Sequence, residues 1–152
     1  MAAGLSRADA VVIVLPDGLD APDPELVALF APKPVLTVRI RPAGPPPEGP
    51  LMGFAGVAKP WKVERALKAA GGQVADFAPY PDHARLSASD LAFLRDRAAA
   101  LGARLVTTEK DFARLSPEAR AGIATFPVVA VFDDEAALDA LLDKALRRWG
   151  RP

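Results

Sequence analysis

The chain has 152 residues, 51% of them hydrophobic and 25% charged, a composition that argues for one folded domain rather than a disordered segment. Its 19 basic and 19 acidic residues cancel, which leaves no basic excess for a nucleic-acid module. The absence of cysteine excludes a disulfide scaffold and thiolate metal sites, and the single histidine, His83, would leave a zinc site resting mainly on carboxylates. No run approaches the about 18 consecutive apolar residues that span a bilayer, and Met1 to Ala10 lack a secretory pattern, so a soluble chain is expected.

In chain order, Ala10 to Leu15 is an unbroken β-branched run, as expected for a strand covered on both faces. Asp23-Pro24-Glu25 reads as an N-cap, a first-turn proline and an acidic first turn, opening a short helix that ends at Phe30 before Pro32 and Pro34. Leu26, Leu29 and Phe30 are read as its core face. Val35 to Ile40 is a second strand. Residues 42–50, Pro-Ala-Gly-Pro-Pro-Pro-Glu-Gly-Pro, cannot donate a regular ladder and read as a semi-rigid connector between two halves of the domain. Strands follow at Leu51 to Ala55, Val74 to Ala78, Leu105 to Thr107 and Val128 to Phe132. Helices are expected at Pro60 to Ala70, from the Ser87-Ala88-Ser89-Asp90 cap to Leu101, at Glu109 to Leu115, and from about Asp134 to Trp149. Gly71-Gly72 and Gly102 suit helix ends, and Trp61 and Trp149 are read as helix–sheet packing residues. Strands alternating with helices define an α/β fold over residues 1–152, a three-layer domain with a mainly parallel sheet and helices on both faces.

Ligands of open parallel sheets bind at the carboxyl ends of the strands, where loops share one edge and helix N-termini point at it. Four loops qualify: Asp17-Gly18, Gly56 to Lys59, Pro79 to His83, and Thr107 to Asp111. Each admits two readings. Asp82-His83 is either a turn aspartate beside a surface imidazole or a general base held by a carboxylate. Thr107-Thr108-Glu109 is either a capped helix start or part of a site. Lys110 places a cation in a first helical turn, against the dipole, which an anion nearby would compensate. Gly56 is most simply a strand-end glycine that allows a close backbone approach. Neither G-x-x-x-x-G-K-[ST] nor G-x-G-x-x-G occurs, so the usual phosphate cradle is missing.

Ala2-Ala3-Gly4-Leu5-Ser6-Arg7-Ala8-Asp9-Ala10-Val11-Val12, Phe54-Ala55-Gly56-Val57-Ala58-Lys59-Pro60, Tyr80-Pro81-Asp82-His83 and Leu101-Gly102-Ala103-Arg104-Leu105-Val106-Thr107-Thr108-Glu109-Lys110-Asp111 occur in an order and spacing that resembles the C-terminal half of the tetraacyldisaccharide 4'-kinases, the lipid A kinases. The resemblance implies an enzyme using ATP and Mg²⁺ to phosphorylate the 4' hydroxyl of the lipid A disaccharide precursor, at the cytoplasmic face of the bacterial inner membrane. It implies that His83, with Asp82 beside it, pairs with an aspartate of the N-terminal half. It further implies that Thr107, Thr108, Glu109, Lys110 and Asp111, with Gly56 and Lys59, line the cleft. The phosphate-binding loop, the metal ligands and any peripheral membrane contact belong to that N-terminal P-loop half, which is expected in cis or in trans. Two departures are local: Ala58 stands where the family usually has glycine, and Ala84-Arg85-Leu86 stands where it tends to show a second histidine or an aromatic. Without its other half the chain is expected to have no useful kinase turnover. The alternative reading is a non-catalytic α/β binding or interaction domain that keeps the fold without the reaction.

Overall fold

The computed structural model describes residues 5–149, the Trp149 side chain excepted. The chain forms two compact units, one built from residues up to Arg41 together with those from Val129 onward, the other from Pro42 to Val128. Each has its own sheet. The strands expected in one sheet are thus divided between two, because which strands pair is decided by contacts far apart in sequence.

The first unit holds a three-stranded sheet of order β1-β2-β7, with β1 at Val11–Val14, β2 at Val35–Pro42 and β7 at Val128–Phe132. β1 and β2 run parallel, Val11 opposite Val35 and Val14 opposite Val38. Helix α1 (Pro24–Ala28) starts at Asp23, whose carboxylate accepts the Glu25 N–H at 2.8 Å, as its sequence dictates. Of its expected core face Leu26 and Leu29 are exposed and only Phe30 is half-buried. The β1 run is also covered less than expected: Val12 and Val14 are about half exposed while Leu15 is buried. The last helix of the chain, α5 (Glu135–Trp149), keeps Leu138, Leu141 and Ala145 half-buried and leaves Leu142 exposed.

The second unit is a three-layer α/β domain. Its sheet has the order β4-β3-β5-β6, with β3 at Pro50–Ala55, β4 at Gln73–Pro79, β5 at Arg104–Thr107 and β6 at Ile123–Thr125. Every pairing is parallel, so all four strands end on one edge. The proline-rich segment belongs to this unit and runs without regular structure from 43 to 49.

Alternation along the central strands sorts their side chains between two cores. Met52 and Phe54 of β3 and Leu105 of β5 pack with Leu91, Leu94 and Ala98 of α3 (Ala88–Ala100). Leu51 and Val106 point the other way and pack with Leu67 of α2 (Pro60–Ala69) and with Phe126. Leu51, Met52, Phe54, Leu67, Leu94 and Val106 are each at most 1% exposed, and burying each such side chain stabilises the unit by about 1.5–3 kcal/mol. Gly53 sits between them because a Cβ there would lie 2.5 Å from the Phe77 ring.

Helix α3 opens on a full capping box: the Ser87 hydroxyl accepts the Asp90 N–H at 3.1 Å, and the Asp90 carboxylate accepts the Ser87 N–H at 2.8 Å. α2 and α3 end against Gly71 (φ +90°) and Gly102 (φ +57°), conformations that cost little only for glycine. Trp61, expected to pack, is 53% exposed, with the Lys62 and Arg65 cations 5.7 and 5.4 Å from its ring centroid. β6 is the strand the sequence reading lacks: Ile-Ala-Thr is too short to show a period of its own.

Candidate functional site

The shared edge of the second sheet carries three of the four expected loops: Gly56 after β3, Tyr80 to His83 after β4, and Thr108 onward after β5. Asp17-Gly18 follows β1 and so belongs to the other unit and the other sheet.

Asp111 is the centre of the cluster. It lies in α4 (Glu109–Arg114), whose N-cap Thr108 hydroxyl accepts the Asp111 N–H at 3.1 Å and donates to Asp111 Oδ2 at 2.8 Å. The same Oδ2 accepts the Gly56 N–H at 3.0 Å. Asp111 is only 4% exposed, and these bonds are what make a buried carboxylate tolerable. Glycine suits this approach, since a Cβ at position 56 would lie a tight 3.3 Å from both Asp111 Oδ1 and the Pro81 carbonyl. The close contact anticipated at Gly56 is therefore with Asp111 and the Pro81 carbonyl.

His83 is held over the same point. Its backbone has φ +63°, a left-handed conformation that costs a non-glycine residue about 1–2 kcal/mol. In that conformation its N–H donates to the Gly56 carbonyl at 3.3 Å. Its ring is exposed at the edge, with Nε2 3.6 Å from Asp82 Oδ2 and Nδ1 2.8 Å from a guanidinium nitrogen of Arg114. Arg114 also lies 3.6 Å from Asp111 Oδ1. Lys110 pairs with the other oxygen of Asp82 at 3.2 Å, so the cation that opposes the helix dipole is compensated by a carboxylate of the neighbouring loop. Desolvation pushes the Asp82 carboxyl up, but the Lys110 hydrogen bond, the His83 and Lys110 charges and the His83 backbone N–H outweigh it and hold it below its ordinary value.

A depression of about 750 Å³ lies on this edge, bordered by some of these groups but not by Thr108, Asp82 or Lys110. Gly56, His83, Asp111 and Arg114 form its polar corner, Arg85 and Ser116 add to it, and Tyr80, Leu86, Leu91 and Leu115 form an apolar wall. Burial, and then the Asp90 charge, push the Tyr80 phenol above its ordinary value and keep it a neutral hydroxyl.

The remaining sequence candidates stand apart. Thr107 is 1% exposed and donates its hydroxyl to the Phe54 carbonyl at 2.8 Å, a staple between β5 and β3. Glu109 is exposed in the first turn of α4, and Lys59 is exposed at the N-cap position of α2; neither borders the depression. Arg114 is the residue that sequence reading missed. The available signal was its place one turn beyond Asp111 on the same helix, where i and i+3 side chains meet. Among the described residues no three His, Asp or Glu side chains gather closely enough to hold a metal ion. Asp82 and Asp111 are spent on Lys110, His83, Gly56, Thr108 and Arg114, so the donor set does not fit Mg²⁺. No helix among the described residues is long and apolar enough to cross a membrane.

The fold and site define a parallel α/β protein with a charged cluster on the carboxyl edge of its sheet, a common place for ligand chemistry. Residues 1–147 match the family described as LpxK, tetraacyldisaccharide-1-P 4'-kinase. The chain belongs to that family. It is 59% identical over 142 residues to the tetraacyldisaccharide 4'-kinase of Phenylobacterium zucineum, covering 93% of this chain and 43% of that protein. It is 55% identical over 139 residues to the one of Caulobacter vibrioides, covering 91% and 42%. The crystal structure titled "apo" form LpxK from Aquifex aeolicus in complex with ATP superposes with a TM-score of 0.58 at 18% identity, covering 95% of this chain and 44% of that one. The chain thus spans under half the length of the curated relatives it matches, and it corresponds to the C-terminal portion of such a kinase. These relationships do not favour a non-catalytic module.

Proposed function

We propose that this chain forms one wall of the active-site cleft of a tetraacyldisaccharide 4'-kinase and supplies its imidazole. The whole enzyme transfers the γ-phosphoryl group of ATP to the 4' hydroxyl of the lipid A disaccharide precursor. ATP and its Mg²⁺ are held by the portion outside this chain, because these residues offer neither a phosphate cradle nor a free carboxylate set. When bound there, they supply the phosphoryl group and neutralise its charge. The proposed localisation is the cytoplasmic face of the inner membrane, where a lipid substrate of this kind is met, with membrane contact made by the other half.

The observation that carries this reading is the mounting of His83. The sole histidine projects from the strand-end edge on a left-handed backbone, tied to Gly56 and Arg114 yet with its ring open to solvent. Non-glycine residues held in this conformation cluster at functional sites, which supports a task for the ring. In the proposed enzyme, Nε2–H donates to the aspartate that accepts the proton of the substrate hydroxyl, and so orients the free oxygen of that carboxylate toward the hydroxyl. Thr108, Asp111 and Gly56 hold the edge rigid, while Lys110 keeps Asp82 ionised beside the ring.

The test is a chimera in which this chain replaces the matching 43% of the Phenylobacterium zucineum kinase. The chimera is expected to phosphorylate the disaccharide precursor in an ATP-dependent way, whereas the 152-residue chain alone gives no turnover. His83→Ala in the chimera is expected to lower kcat by about 10²–10⁴-fold, the usual worth of a positioned proton-handling group. Full rate with His83→Ala would remove the imidazole from the mechanism.

A further inference from the structure

We infer that Arg114 is a positioning residue that selects the tautomer and fixes the ring orientation of His83. The inference rests on the reading of His83 as the proton-handling group of the cleft.

A guanidinium stays protonated in proteins and has no acceptor lone pair, so at 2.8 Å Arg114 can only donate to His83 Nδ1. Nδ1 must then present its lone pair, and the single proton of the neutral ring sits on Nε2. That nitrogen faces Asp82 Oδ2 at 3.6 Å and is the one left to donate to a carboxylate arriving across the cleft. The Asp82 carboxylate favours the same tautomer, but at 3.6 Å it lies beyond hydrogen-bond length, whereas Arg114 makes a direct bond at 2.8 Å.

The guanidinium can impose this choice because it is itself anchored. Its other terminal nitrogen lies 3.6 Å from Oδ1 of Asp111, a carboxylate 4% exposed and pinned by the Gly56 N–H and the Thr108 hydroxyl. The His83 backbone N–H returns to the Gly56 carbonyl at 3.3 Å. The connections close a ring: Gly56 to Asp111, Asp111 to Arg114, Arg114 to the His83 imidazole, and the His83 backbone back to Gly56. Both ends of His83, backbone and side chain, are therefore referred to the same strand end. The forked, planar guanidinium suits this double duty, whereas an ammonium reaches one partner as a point charge.

His83 is the only histidine, so nitrogen NMR of uniformly labelled protein reports its tautomer without assignment ambiguity. A charge-assisted hydrogen bond of ordinary strength biases the tautomer ratio about 10–100-fold. The full 152-residue chain is expected to show the Nε2–H form alone at pH 8. Arg114→Met is expected to lower that ratio at least tenfold and bring up an Nδ1–H population, and Arg114→Lys is expected to recover part of the bias. In the chimera described above, Arg114→Met should lower kcat about tenfold with KM unchanged, and the Arg114→Met/His83→Ala double variant should be no slower than His83→Ala alone.

An unchanged tautomer ratio in folded Arg114→Met overturns the inference, as does a double variant slower than either single one. If Arg114→Met does not fold, Arg114→Leu, which also carries no donor, gives the same reading, and an unchanged ratio there is equally fatal. A shifted ratio with His83→Ala at full rate upholds the Arg114–His83 coupling and overturns the kinase reading of the site instead.

Discussion

Replacing Asp111 by alanine probes the whole edge at one position. The Asp111 carboxylate is 4% exposed and accepts from the buried Gly56 N–H at 3.0 Å and the Thr108 hydroxyl at 2.8 Å. Alanine leaves the Gly56 donor buried and unpaired, at about 1–3 kcal/mol. The Thr108 hydroxyl is half-buried and reaches water, so its loss adds about 0.5–1 kcal/mol. The Arg114 pair at 3.6 Å is a third exposed on the arginine side and adds at most about 0.5 kcal/mol after solvent screening. The sum is about 1.5–4.5 kcal/mol. With a denaturant slope of about 1.5 kcal/mol/M for a unit of this size, the urea midpoint of residues 42–128 falls by about 1–3 M at constant slope. Amide exchange supplies the local control, because the Gly56 amide should lose its protection in the variant even where β3 keeps its own. Asp111→Asn retains an acceptor for Gly56 and turns a donor toward Arg114, so its loss should be about half as large. A midpoint shift below about 0.3 M with Gly56 still protected would refute the reasoning.

Three further outcomes follow from the same structure. Gly53→Ala places a Cβ 2.5 Å from Phe77 Cδ2, and the overpacking should cost about 1–3 kcal/mol by urea unfolding; Phe77→Leu in the same chain should recover much of it. Lys110→Met removes the hydrogen bond that, against desolvation, holds the Asp82 carboxyl below its ordinary 3.8. A carboxyl lowered in the fold stabilises it above the unfolded-state pKa and ceases to do so as pH falls through the lower folded value. Carboxyl-carbon NMR should therefore find Asp82 titrating at higher pH in Lys110→Met, and an unmoved midpoint would contradict the pairing. Ser87→Ala breaks the α3 capping box and should cost about 1 kcal/mol at pH 7. The Ser87 side-chain and backbone hydrogen bonds hold the Asp90 carboxyl low, so the gap between wild type and variant should narrow as pH drops below the ordinary carboxylate range, and a constant gap would sink the argument.

Much of the candidate site was legible because it sits where local rules speak clearly. Thr108 and Asp111 announce a helix start three residues apart, Gly56 ends a buried strand, and Lys110 breaks the dipole rule in a way that asked for a carboxylate, which Asp82 supplies. The pairing of Arg114 with His83 was not legible, because the two lie 31 residues apart and the local spacing of Arg114 points only to Asp111. Thr107 and Lys59 show the opposite error. They share the loops of the site, but one turns its hydroxyl inward to the Phe54 carbonyl and the other points into solvent.

Taken alone, the residue order determined the succession of strands and helices apart from the short β6, the helix caps at Asp23, Ser87 and Thr108, and the α/β class, because periodicity and capping act over a few neighbouring residues. Only the tertiary structure decided that the strands divide between two sheets, that Val12, Val14 and Leu29 stay exposed, and that a buried carboxylate, a guanidinium and an imidazole close a ring through Gly56. Those outcomes depend on which distant segments meet, and pairing across dozens of residues is selected by the packing of the whole unit rather than by any local preference.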